Sequence, residues 1–111
     1  MKINIQNYND VTVIELHGDF TAESTKPFED AVREVIEKGI SGIVLDMTNI
    51  SFIDSISLEQ LLWLRDYCNQ ELLQLKIAGL DETCAKILYV TRLEKKIDTY
   101  EELSEAVKSF A

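Results

Sequence analysis

Histidine occurs once in these 111 residues, at position 17, and cysteine twice, at Cys68 and Cys84. That scarcity leaves no His/Cys spacing able to ligate a metal, and both cysteines fall in helix-like patterns where free thiols are usually buried. No metal and no cofactor are expected. Basic residues are also short, with 11 Lys and Arg against 20 Asp and Glu and a formal net charge of -9. Nucleic acid and anionic membranes call for a basic patch that displaces counterions, so nucleic acid is not an expected partner. No run approaches the ~20 apolar residues of a membrane span. The opening MKINIQNYND lacks the apolar core of a signal peptide, and a cytoplasmic protein is the expectation. Proline occurs once, at Pro27, and no repeat, low-complexity tract or linker divides the chain. Residues 1–111 therefore read as a single domain. GxGxxG, Walker, GxSxG and HExxH motifs are all missing, which removes the commonest routes to an enzyme.

What is present is an ordinary globular composition, 46% hydrophobic and 28% charged. Residues 2–8 alternate loosely and VTVIELHG alternates clearly, with Val11 and Val13 on one side and Ile14 and Leu16 on the other. Asn9-Asp10 between them is a turn signal, predicting a hairpin. In STKPFEDAVREVIEKG, the residues Phe28, Ala31, Val32, Val35 and Ile36 recur at helical spacing, with Pro27 in the first turn and Gly39 as a stop. GIVLDMTNI reads as a central strand. A helix ending near Asn69, a strand in LLQLKIAGL and a helix in DETCAKILYVTRL follow, the last with Cys84, Ile87, Leu88 and Thr91 on one face. KKIDTY supplies a short edge strand at most. TYEELSEAVKSFA predicts a final helix capped by Thr99 with Glu102 three positions on, and a core face of Tyr100, Leu103, Ala106 or Val107, and Phe110. Strands joined through helices imply parallel pairing, so the fold class is α/β: a mixed four- to five-stranded sheet with about four helices.

The stretch between the third strand and the second long helix, SFIDSISLEQLLWL, is where chemistry concentrates. Asp54 and Ser55 follow a strand of a parallel sheet, the usual place for sites in such folds. Backbone N–H groups opening the next helix carry partial positive charge, so a phosphate esterified to a serine there is stabilised and alters the surface without disturbing the fold. The plainer reading makes Ser55 or Ser57 a helix N-cap. On a helical wheel Leu58, Leu61, Leu62 and Cys68 form the buried side, with Leu64 at its margin. Ile56, Trp63 and Tyr67 fall opposite, at i, i+7 and i+11, with Gln60 between them. Such residues are covered either by local packing or by a partner, for which Trp and Tyr are favoured anchors. A His17–Asp19–Ser55 hydrolase constellation is allowed by composition alone; no spacing supports it.

With VIELHGDF, GIVLDMTNISFIDSISL and TRLEKKIDTYEELSEAV placed, the chain resembles the STAS family, the domain shared by sulfate transporters and anti-sigma-factor antagonists, and most closely its free-standing antagonists. The likeness spans essentially the whole chain. It implies a protein that is not an enzyme. Unmodified, it would bind a serine/threonine kinase that doubles as an anti-sigma factor; phosphorylation on Ser55, after Asp54, would abolish binding, and a PP2C-type phosphatase would restore it. The contact surface expected on these grounds is Asp19, Thr21, Asp54, Ile56, Gln60, Trp63 and Tyr67. The chain departs from the family pattern at Ile56, where a small polar residue is usual, at Ser57, where a glycine is usual, and at Phe20-Thr21. Ser57 is then a backup acceptor. The alternative within the family is a constitutive adaptor, a stressosome scaffold or a transporter subunit, that is never phosphorylated.

Overall fold

The computed structural model describes residues 1–110. Strands β1 (Lys2–Tyr8) and β2 (Val11–Phe20) form the antiparallel hairpin, with Asn9 in the left-handed region that asparagine tolerates better than most residues. A 3-10 turn, Ala22–Ser24, leads into α1 (Thr25–Glu37). Then come β3 (Gly42–Ile53), α2 (Ser55–Gln70), β4 (Gln74–Ala78) and α3 (Glu82–Val90). A second 3-10 turn, Leu93–Lys95, precedes β5 (Asp98–Tyr100) and α4 (Leu103–Lys108). The sheet has the order β1-β2-β3-β4-β5, and every pair after the hairpin is parallel. This is the mixed sheet with four helices that the sequence pattern predicts.

The alternation in β2 separates two cores. Ile14 and Leu16 join Phe28, Val32 and Val35 of α1, Leu61 and Leu64 of α2, and Leu88 of α3 on one face. Val11 and Val13 join Val44, Ala78 and Ala106 of α4 on the other. β3 contributes to both, which is why Ile43, Val44 and Leu45 follow one another without a polar break.

Three local expectations are corrected. The buried side of α2 is Ser57, Leu61, Leu64 and Cys68, so Leu64 lies at the centre of the buried face; Leu58 and Leu62 are only half-buried. Thr91 does not share the buried face of α3; it is exposed just past the helix end. Thr99 is not the cap of α4 either. It lies in β5 opposite Ile77, and Glu102 takes the N-cap position without a side-chain bond. Pairing with β4 satisfies the Thr99 backbone through the ladder, which outweighs a capping box. The expected core face of α4 is otherwise in place, with Tyr100, Leu103, Val107 and Phe110 against the second core.

The feature that builds the site is the uneven length of the strands. β3 pairs with β4 only as far as Asp46↔Ala78, while its pairing with β2 continues through two register shifts to Asp19↔Phe52 and Phe20↔Ile53. Gly18, at φ +103, sits at the second shift, a backbone setting that favours glycine. The ends of β2 and β3 therefore project together beyond the rest of the sheet, and Asp54 N donates to Phe20 O across them at 3.2 Å.

Candidate functional site

Asp54 turns the end of β3 into the start of α2. Its backbone is extended, and its Oδ1 accepts the backbone N–H of Ser57 at 2.8 Å, which makes it the N-cap. Its Oδ2 accepts the backbone N–H of Ala22, at 2.9 Å, from the turn after β2. One carboxylate thus ties both projecting strand ends. The Ser57 N–H, followed by that of Ala22, holds the Asp54 carboxyl below its ordinary range.

With Asp54 as the cap, neither serine plays that part. Ser55 is the first helical residue and is exposed. Ser57 is fully buried, and its Oγ has no hydrogen-bond partner. This takes Ser57 out of reach as a backup acceptor in the folded protein. An open depression of about 680 Å³ lies beside Asp54, lined by Met1, Asp19, Thr21, Ala22, Glu23 and Ser24 as well. Asp19, Thr21 and Asp54 are therefore brought together. The rim is acidic, with exposed Asp19 and Glu23. Phe52 and Ile56 flank Ser55 in sequence and both are exposed. Phe52 is absent from the expected contact set, although the pair Phe52-Ile53 carried the signal: neighbouring residues of a strand cannot both face one core.

The rest of the proposed stripe on α2 divides. Trp63 meets the Phe28 ring edge-on at 6.4 Å and the Tyr67 ring at 5.5 Å, and the Arg33 guanidinium lies over it at 5.3 Å. Trp63 and Tyr67 are half-buried; Trp63 is covered by α1, and Tyr67 packs on Trp63 and the core. A wheel drawn for one helix cannot show this, because it omits the helix alongside. Trp63 is also eight residues from Ser55, roughly 12 Å along the axis. Gln60 is half-buried with its Oε1 unpartnered. Of the four, Ile56 alone is exposed beside Ser55.

His17 is engaged elsewhere. Its Nε2 lies 2.6 Å from Glu15 Oε1, which also accepts from Asn4 Nδ2 at 3.2 Å. The His17 contact, ahead of the Asn4 bond, holds the Glu15 carboxyl below its ordinary range. The ring therefore bonds neither Asp19 nor Ser55, and the hydrolase arrangement does not form. Burial pushes the Cys68 and Cys84 thiols up to about 12, so neither is a nucleophile at neutral pH. Among the described residues no cluster of His, Cys, Asp and Glu could hold a metal ion, and no helix is long and apolar enough to cross a membrane.

The family model for the STAS domain matches residues 2–106. The chain belongs to the STAS family. Its members are regulatory, non-catalytic proteins. Solved structures carry the same fold at low identity. A Thermotoga maritima protein, a candidate anti-sigma factor antagonist, has a TM-score of 0.90 at 20% identity, covering 96% of this chain and 92% of its own. An anti-sigma factor antagonist from Mycobacterium paratuberculosis has a TM-score of 0.88 at 18% identity, with coverages of 97% and 92%. The Bacillus cell fate determinant SpoIIAA, in its phosphorylated form, has a TM-score of 0.76 at 15% identity, with coverages of 99% and 100%.

Proposed function

We propose that this STAS domain is a phosphorylation-gated protein-binding module of the anti-sigma-factor antagonist kind. Unmodified, it binds a serine/threonine kinase that acts as an anti-sigma factor; the kinase phosphorylates Ser55 and is released, and a PP2C-type phosphatase resets the switch. The observation that carries this reading is the placement of Ser55. It is exposed at the first turn of a 16-residue helix, between exposed Phe52 and Ile56, while Asp54 holds the loop from both sides. The existence of a phosphorylated form of the Bacillus relative supports it.

The gating is electrostatic. An unmodified Ser55 leaves Phe52 and Ile56 available to an apolar contact. A phosphate adds about two negative charges next to Asp54, on a rim that already carries Asp19 and Glu23. The helix N-terminus stabilises the dianion while it is solvated. A docking partner must strip its water, and unpaired charge is costly to bury.

The test is incubation with the host's serine kinases and ATP, followed by intact mass and peptide mapping. A single phosphate on Ser55, absent from Ser55→Ala, and partner binding that Ser55→Asp abolishes are the expected results. If no kinase modifies the chain and Ser55→Asp binds the same partners as the wild type, the switch is wrong and a constitutive adaptor takes its place.

A further inference from the structure

The helices α1, α2 and α3 all run back against parallel strands, so they end together at the edge of the sheet opposite Ser55. Each is followed by a residue in the left-handed region, where glycine is the usual choice. After α1 that residue is Gly39, at φ +77. After α2 it is Leu72, at φ +59, and after α3 it is Arg92, at φ +65. Two of the three turns thus keep a side chain in a backbone setting that disfavours one. Leu72 is 91% exposed, so nothing in its own fold rewards it. The next most exposed large apolar residues, Tyr89 at 69% and Val90 at 67%, lie at the end of α3, at the same edge.

Cations cluster at the end of α3. The exposed cations Lys26 and Arg33 of α1, Lys38 just after it and the half-buried Arg65 of α2 each lie beside a carboxylate. Lys86, Arg92, Lys95 and Lys96 make no ion pair among the described residues, and Glu94 is the single acid between Lys86 and Lys96. A concavity of about 390 Å³ runs between Tyr89, Val90, Arg92, Glu94 and Lys95. The end of α3 therefore combines exposed apolar residues with unpaired positive charge, while Leu72 has the exposed Glu71 beside it, in a chain whose net charge is -9. The complementary surface is on the same molecule, at the opposite edge: acidic Asp19 and Glu23 with exposed Phe52 and Ile56.

We propose that the end of α3, with Leu72, is a second interaction surface that takes the acidic Ser55 edge of another copy of this chain. The contact is head-to-tail: the two surfaces differ and lie at opposite edges, so each copy offers both and the assembly is open. Small charged contacts of this sort are weak and salt-sensitive, and this one competes with any partner at the Ser55 edge.

The purified chain tests it by sedimentation equilibrium up to about 1 mM, a range that captures weak association. The weight-average mass is expected to rise with concentration at low salt and to fall back toward monomer at about 0.5 M salt. Arg92→Glu with Lys95→Glu, and separately Asp19→Lys with Glu23→Lys, should each be monomeric, since each then presents like charge at both edges. An equimolar mixture of the two variants should associate again, because each supplies the edge the other lacks. Circular dichroism confirms that both variants fold. A wild type that stays monomeric throughout, a closed two-fold dimer, or variants that associate alone would overturn the proposal. None of these outcomes depends on a kinase, so the proposed phosphoswitch stands or falls separately.

Discussion

The carboxylate of Asp54 accepts the backbone N–H of Ala22, 32 positions earlier in the chain, at 2.9 Å. Its other oxygen accepts from Ser57 at 2.8 Å. The acid before the exposed serine is therefore a structural clamp that joins the end of β2 to the start of α2. Any partner that reads Ser55 also reads a loop whose two sides are fixed relative to each other.

The clamp predicts a pH dependence. The folded Asp54 carboxyl titrates below its ordinary value of 3.8, so its contribution to stability is complete above that value and is lost as pH falls through the lowered one. Asp54→Asn still caps the helix but has no charge to lose. Its stability should lie below the wild type at neutral pH, with the gap closing under acid. Urea unfolding followed between about pH 2 and 7 measures this; a gap that stays constant across the range would show that the charge plays no part.

Ser57 predicts the opposite kind of result. Its Oγ is buried and unpartnered, and an unsatisfied hydroxyl usually costs stability. Ser57→Ala removes the hydroxyl and improves helix propensity, so a gain of about 0.5–1 kcal/mol is expected in denaturant unfolding. A loss of similar size would mean that the hydroxyl is bonded in solution, and Asp54 would be the group to examine.

Much of this was legible in the residues before the fold was known. The 3.6 period from Phe28 to Ile36 and the alternation from Val11 to Leu16 place α1 and β2 correctly, because each pattern matches the face its element buries. The placement of Asp54 and Ser55 between β3 and α2 was readable from a strand pattern followed by a helix pattern. What was not readable depends on neighbours distant in sequence. Asp and Ser are both good caps, and which of them caps α2 depends on where β3 stops pairing with β2, two register shifts along. Trp63 and Tyr67 stand out on the wheel of α2, yet α1 covers Trp63, and Tyr67 packs on Trp63. Thr99 followed by Glu102 is a sound capping box on its own, and it yields because β4 offers an edge to pair with.

Two left-handed positions give a third prediction. Leu72→Gly and Arg92→Gly should each stabilise the chain by roughly 0.5–1 kcal/mol, because glycine relieves the backbone at φ near +60. Both side chains are exposed, so little packing is lost. Thermal unfolding of the two single variants reports this directly. If either is destabilised, that side chain supports its own fold, and its availability for contact with another copy loses its main argument.

Gly42 carries the last prediction. The Phe110 ring lies where a Cβ on Gly42 would stand, and Lys76 Nζ sits 4.4 Å from the centre of the same ring. Lys76 is buried and donates to Ser109 Oγ, so the end of α4 is held by a cation, an aromatic face and the absence of one side chain. Gly42→Ala must push the ring aside, and overpacking of this kind costs about 1–3 kcal/mol. Because α4 covers Val11, Val13 and Val44 together with the flanking Tyr100 and Phe110, the displaced ring should loosen the helix before the sheet. Hydrogen exchange should therefore accelerate across Leu103–Lys108 while the β2 and β3 amides keep their protection. Uniform acceleration through the sheet would instead show that α4 is an inseparable part of the core.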